Sequence, residues 1–268
     1  MRVFRFHDSV ITNYDSNHGE IFNDREQQRI QKKLAEAIGL IEPDRFLRAL
    51  DLGCGSGNLT SHLLKLGPRI TAADVSKKFL KIVGRKFSGS GRVETVRING
   101  ADLSNFKDDE FDFTATYSVL HHIKDYLGMV KEMARVTSPG GVVYIDHEHS
   151  PGYWNKTAEY AAFLDELQRE TRPAPKPELS RFMKPSVYFN KFKQLLNPRY
   201  IIEGDIHVWP GDNINWEKVE CVLHSCGFET TIKEDYLLYR RGYPDKVYDK
   251  YKNVCNDMRL VVAKKIKM

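Results

Sequence analysis

The chain has 268 residues, of which 41% are hydrophobic, and a formal net charge of +5. That is enough apolar content for one large core, while no stretch approaches the roughly 20 apolar residues of a membrane-spanning helix. The first residues, Met1 to Asp8, lack the apolar centre of a signal peptide, and Cys54, Cys221, Cys226 and Cys255 form no C-x-x-C pair, so reduced thiols and a cytoplasmic location are expected. The charge is unevenly spread: residues 171–200 carry seven Lys or Arg against Glu178, and residues 239–252 carry five against two acids, so the remainder of the chain is acidic.

In chain order, Asp24 to Leu40 reads as a helix capped by Asn23, with Ile30, Leu34, Ala37 and Ile38 at helical spacing. An apolar run, Phe46 to Leu50, then meets Asp51-Leu52-Gly53-Cys54-Gly55-Ser56-Gly57 and a helical segment from Asn58: strand, glycine loop, helix. Glycines at this spacing let the backbone turn sharply and approach a ligand. Asn58 stands where a dinucleotide fingerprint would have its third glycine, which disfavours NAD. A second strand, Arg69 to Asp74, ends in a carboxylate about 20 residues after the loop, where an acid can accept both hydroxyls of a ribose. A third, Val93 to Ile98, precedes Asn99-Gly100-Ala101-Asp102-Leu103, and a fourth, Phe111 to Tyr117, leads into Ser118-Val119-Leu120-His121-His122. Pro139-Gly140-Gly141 is expected to stop a helix with left-handed glycines and start a fifth strand, Val142 to Asp146, followed by His147-Glu148-His149. Residues 150–213 are too long for a plain loop and are expected to form a helical cap, with a helix over 155–170. A helix over Trp216 to Cys226, a strand over Glu229 to Leu238, a basic Tyr-rich insert and a last strand over Met258 to Ala263 complete the pattern.

The D-x-G-x-G-x-G loop, the acid ending the second strand, the acid after the third and the exit of the fourth resemble class I S-adenosylmethionine-dependent methyltransferases of small-molecule type, over about residues 45–148. The resemblance implies a seven-stranded doubly wound α/β sheet with the last strand inserted antiparallel beside the fifth; the helical cap expected after strand five has no place in that minimal fold. The expected domains are an arm and Rossmann-like core over 1–149, the cap over 150–213, and completion of the core over 214–268, with the insert at 239–256. It also implies a cofactor site: Asp51 holding the amino-acid portion, Asp74 the ribose and Asp102 the adenine amino group, with Gly53, Cys54, Gly55, Gly57, Val75, Ala101, Leu103, Tyr117 and Ser118 around them. Arms ahead of the first helix often fold over the cofactor in such enzymes, which nominates Tyr14.

Methyl transfer is an in-line displacement, so the protein must align donor and acceptor, exclude water and, for some acceptors, remove a proton. His122, His147, Glu148 and His149 are the catalytic candidates beyond the carboxyl ends of strands four and five. Strand alternation would put His147 and His149 on one face with Glu148 turned away, a pattern that also admits a metal held with His122 or His207. Positive side chains interleaved with aromatics, including Tyr153, Trp154, Arg181, Tyr188, Arg240 and Tyr243, suit an anionic or aromatic small acceptor. RNA, an anionic membrane surface, and a cofactor-binding domain without turnover are the alternatives.

Overall fold

A computed structural model describes residues 18–42, 47–171 and 205–266. Its centre is a seven-stranded sheet built from β1 (Arg48–Leu52), β2 (Arg69–Asp74), β3 (Val93–Arg97), β4 (Phe111–Tyr117), β5 (Thr137–His149), β8 (Phe228–Tyr236) and β9 (Met258–Lys265). Their order across the sheet is β3-β2-β1-β4-β5-β9-β8. The first five are parallel, and β9 runs antiparallel between β5 and β8. A two-residue pair, β6 (Val208–Trp209) and β7 (Asp212–Asn213), stands apart.

Alternation along the strands sorts side chains onto two cores. Leu50, Leu52, Val143, Ile145 and Val261 pack against α4 (Tyr126–Val136) and α7 (Trp216–Ser225) on one face. Ala49, Phe113, Ala115, Tyr144 and Val262 pack against α1 (Asp24–Ile38) and α2 (Asn58–Leu66) on the other. The Asn23 side chain caps α1 by accepting from Glu26 N, so Ile30, Leu34 and Ala37 enter the sheet in phase. Strand order reverses between β1 and β4, and open α/β sheets bind ligands outside the carboxyl ends of the strands at such a point.

The structure departs from expectation at several elements. Pro139-Gly140-Gly141 does not cap a helix: α4 ends at Val136, and the three residues lie inside β5. Phe111 pairs with Thr137 and Phe113 with Val142, so residues 138–141 bulge there, and a Cβ on Gly141 would stand 2.8 Å from the carbonyl oxygens of Asp112 and Ser138. A second irregularity separates the pairs Ile145–Val261 and Glu148–Arg259, and within it His147 takes φ 63°. The helix expected over 155–170 is present as α6 (Ala158–Glu170), and a single unexpected turn, α5 (Pro151–Trp154), precedes it. The Tyr-rich insert folds as α8 (Asp245–Tyr251) and packs on α6 through Tyr160, Phe163, Leu167, Val247 and Tyr251. No helix among the described residues is long and apolar enough to cross a membrane.

Candidate functional site

The glycine loop leaves β1 and is fastened to β2, with Gly53 N and Cys54 N both donating to Ala73 O. Gly53, Gly55 and Gly57 take φ values of 71°, 49° and 86°. Gly53 and Gly57 are sterically compelled, since a Cβ would stand 2.5 Å from the Val119 side chain or 2.7 Å from Phe87, whereas a Cβ on Gly55 would meet nothing within 4 Å. Asp74 braces the loop: one carboxylate oxygen accepts from Gly55 N at 3.0 Å and the other from Ser76 N at 2.8 Å.

These residues wall a cavity of about 370 Å³, within the size range of small-molecule sites. Gly53, Gly55, Asp74, Val75, Tyr117 and Ser118 form one wall; Val119, His122, Ile123 and Ile206 lie toward the exit of β4. A smaller cavity of about 40 Å³ adjoins it, sharing Gly53, Gly55, Tyr117 and Ser118 and adding Asp51 and Cys54. Asp51 is buried and accepts from the Thr60 hydroxyl, and burial pushes its pKa up to about 6. Ser118 holds a left-handed φ of 59°, its N–H donating to Asp146 O.

The loop after β3 is a correction. Ile98 and Gly100 reach the cavity, but Ala101, Asp102 and Leu103 do not line it. One Asp102 oxygen accepts from Asn99 Nδ2, Ser104 N and Ser104 Oγ, closing its own turn, while Leu103 is fully buried in the core.

The histidines after β5 also part company. His147 stacks on Tyr117 with ring centroids 4.6 Å apart, and both of its ring nitrogens are buried without a hydrogen-bond partner among the described residues. Burial holds its pKa well below the usual imidazole value. His149 instead stacks on Tyr153 at 3.8 Å and meets Trp154 edge-on, with burial lowering its pKa to about 4. The bulge in β5 breaks the alternation that would have aligned the two, so they do not combine as metal ligands. Glu148 is not turned away from the site: one oxygen accepts from Val119 N and Leu120 N, and the other sits 2.7 Å from His121 Nδ1. His207 is held between Asp212 and the carbonyls of Ile123 and Lys124.

Of the residues nominated for substrate, Tyr153, Trp154, Arg240 and Tyr243 line neither cavity. Tyr243 packs edge-on to Phe163, and Arg240 pairs with buried Asp257 at 3.7 Å. Two lysines of the insert are answered by acids, Lys250 by Glu166 of α6 and Lys252 by Asp249 within the insert. Tyr14, Arg181 and Tyr188 lie outside the described residues.

Sequence reading missed a buried polar network behind the β4 and β5 ends. Arg29 pairs with Glu26 at 2.6 Å and Asp146 at 2.9 Å, and its guanidinium lies 3.8 Å from the Tyr236 ring centroid. Tyr117 donates to Glu26, while Tyr144 and Tyr236 donate to Asp146. The only local signal was the Glu26–Arg29 pair, three apart on the face of α1 that also carries Ile30.

Residues 50–145 match a family model described as a methyltransferase domain. A demethylmenaquinone methyltransferase of Bacillus licheniformis is 30% identical over 145 residues, 53% of this chain and 60% of that relative. A ubiquinone biosynthesis O-methyltransferase of Parvibaculum lavamentivorans is 27% identical over 128 residues, 46% of this chain and 51% of the relative. The chain thus spans little more than half the length of these relatives. Among solved structures, a SAM-dependent methyltransferase from Methanosarcina mazei superposes with TM-score 0.53 at 18% identity, covering 86% of this chain and 97% of that one. The [4+2]-cyclase SpnF does so with TM-score 0.59 at 19% identity, covering 99% and 96%. Residues 50–145 thus resemble a methyltransferase domain, and the seven-stranded sheet described above has the fold of the SAM-dependent methyltransferase structure.

Proposed function

We propose that this chain transfers a methyl group from S-adenosylmethionine to a small-molecule acceptor seated at the β4 end of the main cavity. The observation that carries the reading is the cavity wall at the strand reversal, where two left-handed glycines, Gly53 and Gly55, and the braced carboxylate of Asp74 converge. The residues fit the cofactor on structural grounds: the space a Cβ on Gly55 would enter is open, and Asp51 offers a carboxyl group in the adjoining recess.

When bound, the cofactor supplies an electrophilic methyl group on a sulfonium. Asp74 is assigned to its ribose hydroxyls and Asp51 to its ammonium, each as a charge-assisted acceptor. Gly53 and Gly55 let the backbone approach. An acceptor seated at the β4 end would take that methyl group, leaving a neutral thioether, and would give up its proton to His122 or to solvent. Val119, Ile123 and Ile206 give the acceptor end an apolar wall, and His122 is the side chain we assign to the acceptor's polar group. Such a wall suits a ring-bearing, largely apolar acceptor better than RNA, in keeping with the quinone pathways in the relatives' names.

Calorimetric titration with S-adenosylmethionine tests the site. Asp74→Ala is expected to weaken binding about tenfold to a hundredfold, the worth of one lost hydrogen bond to a charged group. Equal affinity in the variant and the wild type would remove Asp74 from the site.

A further inference from the structure

We propose that His121, His122 and Asp205 form a binding site for a divalent transition-metal ion beside the cofactor cavity. One ligating atom from each lies within 4.8 Å of the others, bringing together residues distant in sequence. Asp205 Oδ1 is 3.2 Å from His122 Nδ1 and 3.8 Å from His121 Nε2. Zinc–ligand bonds of about 2.0–2.2 Å put the ligand atoms of a tetrahedral site about 3.4 Å apart, so the two Asp205 edges are within a few tenths of an ångström of that spacing, and the edge between the imidazoles, within 4.8 Å, must shorten to it.

The surroundings hold the three groups in place. Glu148, 1% exposed, takes His121 Nδ1 at 2.7 Å and is itself fixed by Val119 N and Leu120 N. That pairing directs the opposite ring nitrogen, Nε2, to Asp205, as carboxylates do for metal-ligating imidazoles. The segment bearing Asp205 is tied to the same turn, because Ile206 N and His207 N both donate to His121 O. The three side chains are 15–19% exposed, sheltered yet reachable.

Two imidazoles and one carboxylate suit Zn²⁺ and its first-row neighbours, and three protein ligands leave positions open. His122 and Ile206 both line the main cavity, so the cluster borders it. The site itself does not depend on methyl transfer. Its role rests on that reading: a cation here would hold an acceptor oxygen and make its hydroxyl more acidic.

The test is equilibrium dialysis of the full chain against Zn²⁺, with elemental analysis, and against Co²⁺, read by its visible ligand-field absorption. One equivalent per chain is expected. Asp205→Ala and His121→Ala should each lose binding by at least tenfold, and Glu148→Gln by about tenfold to a hundredfold. His149→Ala, outside the cluster, should bind like the wild type, and S-adenosylmethionine titration of every variant checks that the fold and cofactor site persist. No stoichiometric binding by the wild type, or the same affinity in Asp205→Ala and His121→Ala as in the wild type, overturns the proposal and leaves an ion pair between His122 and Asp205. Metal binding without detectable methyl transfer would sustain the site and count against the role.

Discussion

Asp51→Asn isolates the electrostatic state of the glycine loop. Burial holds this carboxyl at about 6 against 3.8 in an unfolded chain, so between those values the folded protein keeps a proton that the unfolded chain has released. The group therefore favours folding most at low pH, and that contribution is lost as pH rises through 6. A displacement of roughly two pH units is worth about 3 kcal/mol in full, of which about 1.3 kcal/mol falls between pH 5 and pH 7. Asparagine has no proton to lose, so urea unfolding of Asp51→Asn should fall less steeply from pH 5 to pH 7 than the wild type, by that amount. Cofactor binding supplies the mirror image. An ammonium beside Asp51 draws its proton off, so wild-type affinity should weaken about tenfold from pH 7 to pH 5, while the variant binds more weakly and loses this component of the slope. Parallel stability curves for the two proteins between pH 5 and pH 7 would refute the assignment of a protonated, buried Asp51.

Two glycine substitutions should separate packing from ligand space. Gly53→Ala drives a Cβ into Val119 at a left-handed φ and should cost about 1–3 kcal/mol of stability in denaturant titrations. Gly55→Ala meets open space, so it should cost about 1 kcal/mol through φ strain, yet weaken S-adenosylmethionine at least tenfold by calorimetry. Equal effects of the two variants on binding and stability would contradict the geometry. Arg29→Met strands the carboxylates of Glu26 and Asp146, 2% and 0% exposed, and should destabilise by about 3–5 kcal/mol in urea; a loss under 1 kcal/mol would show that the network holds without its cation.

Where the chemistry is local, the chain announced it. The loop from Asp51 to Gly57 and the acid at the end of β2 are contiguous signals, and Gly53, Gly55 and Asp74 meet on one cavity. Reading His147 and His149 as one face failed because alternation assumes an unbroken strand, and the bulge opposite Val261 and Arg259 is not encoded in any spacing. Asp102 had the right position for a ligand but satisfies its own turn, an outcome short polar side chains often prefer. The Tyr-rich insert looked like a positive binding surface because charge was counted along the chain. Glu166 and Asp257, which answer Lys250 and Arg240, come from other elements. The approach of Asp205 to His121 and His122 is likewise purely tertiary. The added length of β5 hides behind Pro139-Gly140-Gly141, which signals a helix stop and here marks a bulge.

SpnF, named as a cyclase, shares this fold at 19% identity, and a fold does not by itself carry an activity. The direct measurement is therefore transfer of label from methyl-labelled S-adenosylmethionine, incubated with the protein and an extract separated into small-molecule, lipid, RNA and protein fractions. The account predicts label in the small-molecule or lipid fraction, reduced by Gly55→Ala at subsaturating S-adenosylmethionine. Cofactor bound in calorimetry with no label in any fraction, or label confined to RNA or protein, would contradict it.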